Sequence, residues 1–237
     1  MAKSSSSENE SETTPLQTEA GESLEEIHQV GMELHQHEML ALGYEMLQQL
    51  SLRCFNDMRT LLLVHDKRML GIVLEELDAL VARNVLLPSE ANVLQRGICP
   101  TILPGSTNMA QFIKQCELQP TLKDEYLLKP VRGGKGEGIM FGSDLAYESW
   151  MSCLTDLKSP NLSPQGTTMV IQRRIEQARY DVLLREKVGV QRLPIVGTYH
   201  AVHGEFLGIG VWRSSPGSVC AISHGGAWMC SLMQMDN

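Results

Sequence analysis

The segment Tyr126-Leu-Leu-Lys-Pro-Val-Arg-Gly-Gly-Lys-Gly-Glu-Gly-Ile-Met-Phe-Gly142 constrains this chain more than any other. A short apolar run delivers a lysine, the four glycines Gly133, Gly134, Gly136 and Gly138 follow, and a second apolar run returns the chain. Glycine removes the Cβ that would block a ligand and permits φ > 0, so successive amide N–H groups can point into one concavity and hold an anion. Lys129, at the end of its strand, supplies a fixed positive charge beside that anion, and Arg132 and Lys135 add mobile ones. A charge pair at ~4 Å is worth roughly 4 kcal/mol at an effective dielectric near 20, so one placed lysine matters to nucleotide affinity. The loop joins strand to strand and has no GK[ST], which separates it from a Walker A loop and from the dinucleotide fingerprint. A bare β-hairpin tip is the other reading, and glycine content alone leaves both open.

Periodicity changes across this segment. Upstream, Met69, Leu70, Val73, Leu74, Leu77, Leu80 and Val81 predict an amphipathic helix. A shorter helix is expected after Ser89 as N-cap, and Pro104-Gly105 punctuates the chain before another over 109–116. From Tyr126 the pattern is strand-like, with strands expected at 126–129, 139–141, 169–172, 182–184, 195–202, 206–212 and 219–223 and one helix at 147–157. His203-Gly204-Glu205 reads as a tight hairpin between two of these strands. Helices in front and a largely antiparallel sheet behind define an α+β class.

The 237 residues carry a formal net charge of −8, which argues against a nucleic-acid or anionic-membrane surface, because those partners need clustered Lys and Arg. Much of the acidity lies near the N-terminus. Residues 1–22 are rich in Ser, Glu and Thr and are expected to be disordered. Residues 23–58 form a helical segment on the spacing of Leu24, Ile27, Leu34, Met46, Leu47 and Leu50, weakened by Gly31 and Gly43. His28, His35 and His37 lack acidic or cysteine partners at fixed spacing and read as solvated helix-face side chains. Cys54, Cys99, Cys116, Cys153, Cys220 and Cys230 form no CxxC pair and read as reduced thiols. With no run near 18 apolar residues and no apolar leader, the expected compartment is the cytoplasm, without a membrane partner.

The strand–Lys-Pro–glycine loop–strand arrangement resembles the ATP-grasp superfamily, in which two α+β lobes hold ATP between them. Val170-Ile-Gln-Arg-Arg-Ile-Glu176 resembles the hinge strand that frames adenine, and residues 197–228 resemble the final β-rich lobe with its arginine and Gly-Gly turn. The style is most similar to the circularly permuted group that includes eukaryotic glutathione synthetases and glutathionylspermidine-synthetase-like proteins. His65-Asp66-Lys67 resembles the Asp-Lys segment that opens many such domains. The resemblance implies a nucleotide-binding region over 59–237, with lobes near 105–165 and 166–237.

It also implies roles. Lys129 resembles the phosphate-binding lysine and Lys67 a second one; Gly133, Gly134, Gly136 and Gly138 resemble the phosphate lid, with Arg132 beside them. Gln172 stands where the family directs a side chain to the adenine amino group. Arg213 resembles the arginine that steadies phosphate or substrate carboxylate, and with Lys135 it carries the expected catalytic role. Gly225 and Gly226 resemble a late loop over the substrate; His224 beside them reads as structural rather than as a base. The implied chemistry is ATP-dependent carboxylate–amine ligation through an acylphosphate, with ATP and Mg²⁺ as cofactors and a small carboxylate and an amine as substrates.

The chain departs from the family at the metal. Magnesium needs carboxylates or an Asn, and the one Glu-x-Asn, Glu90-Ala-Asn92, falls in a stretch read as helical. Permuted glutathione synthetases place a Glu four residues after the lysine; Gly133 stands there, and Glu137, four residues on, is the nearest carboxylate to substitute. The metal ligands are therefore unassigned. The sequence also lacks the domain that in the family precedes the grasp, so a partner chain or an absent N-terminal domain is expected to complete the site, the alternative being an inactive nucleotide-binding or interaction protein.

Overall fold

A computed structural model describes residues 16–24, 28–32, 34, 36–55, 63–161 and 167–229. Tail residues 1–15, His35 and Cys230 lie outside them. The chain divides into two compact units, Met1–Leu62 and Leu63–Asn237.

In the first unit, β1 (Leu16–Gln17) pairs antiparallel with β2 (Ser23–Leu24). Thr18 closes the hairpin: its amide donates to the Glu22 carbonyl at 2.9 Å, and its hydroxyl accepts from the Glu22 amide at 3.1 Å. Residues 16–22, assigned from composition to a disordered tail, thus form a short hairpin. Helices α1 (Gln36–Ala41) and α2 (Gly43–Arg53) follow, separated at Gly43, whose φ of +74° no helix accommodates.

The second unit opens with α3 (Arg68–Ala82) and α4 (Pro88–Gly97). The start of α4 corrects the sequence reading. Pro88, not Ser89, begins the helix, since its fixed φ suits the first helical position, and Glu90 reaches back to accept from the Leu87 amide at 2.7 Å. That contact also gives the Glu-x-Asn sequence a helix-capping role.

Two four-stranded sheets complete this unit. The first has the order β3 (Thr101–Ile102), β6 (Met169–Arg173), β4 (Tyr126–Pro130), β5 (Met140–Phe141), all antiparallel. Because strand side chains alternate, Ile102, Ile171, Leu128 and Met140 fall in register on one face. This face packs on α5 (Thr107–Leu118) through Met109, Phe112, Ile113 and Cys116, and on α6 (Tyr147–Asp156) through Trp150 and Leu154. Phe112 sits at the centre, 4.5 Å from the Tyr126 ring and edge-on to Trp150 at 6.5 Å. The opposite face presents Leu127, Lys129 and Gln172.

The second sheet runs β10 (Ala227–Met229), β9 (Glu205–Ser214), β8 (Gln191–Val202), β7 (Arg179–Val182), again antiparallel. His203 (φ +51°) and Gly204 (φ +82°) make the two-residue turn between β8 and β9; two positive φ values match the right-handed twist of a hairpin. Two expected strands are displaced. Strand β7 precedes the predicted 182–184, and the stretch predicted as a strand at 219–223 instead leads into a short 3₁₀ turn at Ile222–His224 that Gly225 ends at φ +78°, postponing the strand to Ala227. Among the described residues, no helix is long and apolar enough to cross a membrane.

Candidate functional site

A cleft of about 760 Å³ opens within the second unit. One wall is the exposed face of the first sheet, with Leu127, Lys129 and Phe141; the other is β7 and β8, with Arg179, Pro194 and Val196. The connection at 173–178 closes one side and the loop at 216–220 another. Its lining pairs apolar surface suited to a flat ring (Leu127, Ile139, Phe141, Val196) with Lys129, Arg173, Arg174 and Arg179 against the single carboxylate of Glu176. In a chain of net charge −8, that local excess of cations selects anionic ligands.

Lys129 reaches the cleft because β4 alternates: Leu128 goes to the core and its neighbours to the opposite side. Its charge is felt by Cys99, whose thiol burial pushes up and Lys129 pulls back. Lys67 feels it as well. Burial lowers the Lys67 pKa, the Lys129 ammonium lowers it further, and Asp66 opposes both. Two neighbouring cations carry an electrostatic cost that Asp66 offsets in part and that a phosphate would relieve further.

The glycine loop between β4 and β5 has the backbone that an anion-binding loop needs. Gly133, Gly136 and Gly138 have φ of +92°, +82° and +70°, and Lys135 is forced to +56°. Gly136 approaches the loop at 216–220 so closely that an added Cβ would lie 2.3 Å from Val219 Cγ1. Around Gly133 and Gly134 the space is open.

The base of this loop is held by residues just before α3. The Lys67 amide donates to the Val131 carbonyl at 2.8 Å, and its Nζ to the Gly133 carbonyl at 2.9 Å. Asp66, 6% exposed, accepts from the Arg68 amide at 3.0 Å and from Nε at 2.9 Å, is bound by Arg68 Nη2, and pairs with Arg132 Nη2 at 3.9 Å. Burial alone would raise the Asp66 pKa; the hydrogen bonds and charge of Arg68, with the charge of Arg132, hold it below the ordinary carboxylate value.

The remaining expected site residues are distributed differently. Arg132 is drawn to Asp66, and Lys135 and Glu137 are exposed on the loop. Gln172 is on the cleft-side face but 2% exposed, its amide donating to Thr101 Oγ1 at 2.8 Å; it does not line the cleft. Arg213 lies opposite Val196 but does not itself line the cleft, and its Nε is buried without a hydrogen-bond partner among the described residues. Gly226 packs tightly, an added Cβ meeting the Ala221 and Ser214 carbonyls at 2.8 Å, while His224 Nδ1 is 3.1 Å from Ser223 Oγ. Among the described residues, no group of three or more His, Cys, Asp or Glu could hold a metal ion. No preformed cluster among the described side chains thus marks a magnesium site, and its ligands stay unassigned.

Sequence reasoning missed the clamp at Asp66 and the arginines at 173, 174 and 179. Within the clamp Arg68 is two residues from Asp66, but the Lys67–Gly133 contact spans 66 residues and left no local signal. The arginines had one: three cations in seven residues of an acidic chain, directly after the predicted hinge strand.

The chain is 41% identical over 223 residues to a protein named ATP-grasp enzyme ankG from Aspergillus thermomutatus. The similarity covers 94% of this chain and 46% of the relative, so the chain spans about half the length of the curated relative it matches. Residues 2–63 match a family described as the AnkG N-terminal domain, a span that ends at the boundary between the two compact units. The name of that relative is in line with the ATP-grasp resemblance.

Proposed function

We propose that this chain is an ATP-binding, ATP-grasp-type segment of an ATP-dependent carboxylate–amine ligase. The observation that carries the reading is Lys129 in a mixed apolar and cationic cleft of about 760 Å³, with a positive-φ glycine loop that approaches the cleft-lining Val219 through Gly136.

The cleft suits a nucleotide. Leu127, Ile139, Phe141 and Val196 offer apolar surface for a base, and Lys129 offers the cation for the anionic end; the glycine loop would close over the phosphates from beside it. Lys67 fixes the loop and adds a second cation near Lys129. In the proposed reaction a substrate carboxylate accepts a phosphoryl group to give an acylphosphate, and an amine displaces phosphate. Pre-placed donors stabilise charge as it develops on the transferring group, typically by a few kcal/mol each. Arg213, whose Nε has no hydrogen-bond partner among the described residues, steadies the reacting anion. Lys135 and Arg132 act from the loop, and Gln172 supports the adenine side from beneath the cleft surface. The ligands of Mg²⁺ are unassigned, and a partner chain or a further domain would complete the site.

The alternative, a nucleotide-binding protein without catalysis, draws on the lack of a metal-ligand cluster among the described residues. Isothermal titration with ATP, with and without Mg²⁺, separates the two. Tighter binding with magnesium supports the ligase; weak, metal-indifferent binding supports the alternative.

A further inference from the structure

We infer that the uncharged face of the second sheet, on the side away from the cleft, is a docking surface for further polypeptide, the counterpart of the part of the ankG relative that this chain does not span. The inference goes beyond the ligase reading and holds whether or not the cleft takes ATP.

The face follows from register. Directly opposed residues of antiparallel strands project to the same side. Arg179, Pro194 and Val196 line the cleft, so Tyr180 on β7 and Ile195 and Tyr199 on β8 turn away from it. Register shifts in β9 keep Phe206, Ile209 and Trp212 on that same side, opposite Ala201, Tyr199 and Gly197. The Trp212 ring lies over Gly197, where an added Cβ would be 2.6 Å from it, while Gly210 meets Thr198 and His200 on the other side. The charged residues Arg179, Asp181, Arg192, Glu205 and Arg213 all alternate to that other side. The sheet is one-sided.

An antiparallel sheet with one apolar face needs a second layer over it. The first sheet has that layer: Leu128 and Ile171 are 0% exposed beneath α5 and α6. On the second sheet Tyr199 is 73% exposed, Phe206 66% and Ile209 58%. These three are neighbours in the register and together present on the order of 400 Å², a size at which an apolar patch marks an interaction site.

The relative and the path of the chain say what covers it. The similarity takes in 46% of the relative, so more of that protein lies outside the match than within it. Residues 2–63 match an N-terminal domain, which puts the unmatched part downstream of the counterpart of β10. Strand β10 is the edge of this sheet and carries Ala227 and Met229 on the apolar side, opposite Ser214 and Trp212. It runs antiparallel to β9, so its direction points along β9 toward Ile209 and Phe206. Polypeptide joined after β10 therefore starts at the border of the bare patch. Because the face carries no charge, the contact is driven by apolar burial and is insensitive to salt.

Hydroxyl-radical footprinting tests this on the 237-residue chain alone and on the same chain joined, after Asn237, to the part of the Aspergillus thermomutatus relative outside the match. Oxidation of Tyr199 and Phe206 is expected to be at least about fivefold lower in the joined protein, equally at low and high salt. Ile209→Lys should return it to within about twofold of the level in the chain alone, because the new charge has no partner in an apolar contact. In the chain alone, Ile209→Lys should leave the circular-dichroism spectrum unchanged and lower binding of the apolar dye ANS by at least about twofold. Unchanged dye binding overturns the proposal whether or not the joined protein folds. So does equal oxidation in the two proteins, or protection that survives Ile209→Lys. Tyr199 and Phe206 protected in the chain alone, with sedimentation as a dimer, would give the face to a second copy and likewise overturn it.

Discussion

The ammonium of Lys67 donates a 2.9 Å hydrogen bond to the carbonyl oxygen of Gly133, tying the start of α3 to the first glycine of the loop beside Lys129. The same residue holds the Val131 carbonyl through its amide, so one short segment fixes the arm along which the chain leaves β4.

Lys67→Met should therefore loosen the loop before it weakens the fold. Amide exchange over residues 131–139 is expected to speed up while exchange in β4 itself is unchanged, a contrast that hydrogen-exchange mass spectrometry reads directly. The lowered pKa adds a second readout. A phosphate arriving beside Lys67 favours its charged form, so ATP binding should take up protons increasingly as pH rises toward the ordinary lysine value of 10.5. Calorimetry in buffers of different ionisation enthalpy should find this uptake in the wild type and less in the variant.

Asp66→Asn should destabilise the second unit by about 1–3 kcal/mol at neutral pH, because a nearly buried carboxylate with charge-assisted hydrogen bonds is replaced by a neutral acceptor. The pH dependence has a definite sign. The folded-state pKa of Asp66 lies below the unfolded value of 3.8, so its contribution is present above that value and is lost as pH falls through the folded one. Wild type and variant should converge in urea-unfolding stability in strong acid and diverge above about pH 4.

Gly136→Ala should cost more than Gly133→Ala. Both sites have positive φ, which costs an L-residue roughly 1–2 kcal/mol. At 136 the new methyl also meets Val219 at 2.3 Å, whereas at 133 nothing lies within 4 Å. Thermal unfolding should rank wild type, Gly133→Ala, Gly136→Ala in falling order. Gly136→Ala should also weaken ATP binding by displacing one loop from the other.

Local features of the site could be read from the sequence where they obey local rules. The glycine loop, the strands on either side of it and the exposure of Lys129 to a cleft follow from φ > 0 at glycine and from alternation along β4. The helix over 147–157 follows from spacing that buries Trp150 and Leu154. What depends on tertiary contact could not be read. Asp66 is an ordinary helix-start carboxylate until Arg132 is brought to it from another part of the chain. Gln172 has a strand neighbour, Thr101, in a two-residue strand too short to have a period. The late strand moved from 219 to 227 because the chain first makes a 3₁₀ turn ended by Gly225.

The most direct measurement is the affinity of the full chain for ATP by isothermal titration, before and after Lys129→Ala. Lys129 is at the cleft surface rather than in the core, so the variant should fold with an unchanged circular-dichroism spectrum. Affinity is expected to fall by at least about tenfold, as for loss of a charge-assisted contact to phosphate. Wild-type binding that persists unchanged in the variant would contradict the assignment of this cleft to nucleotide.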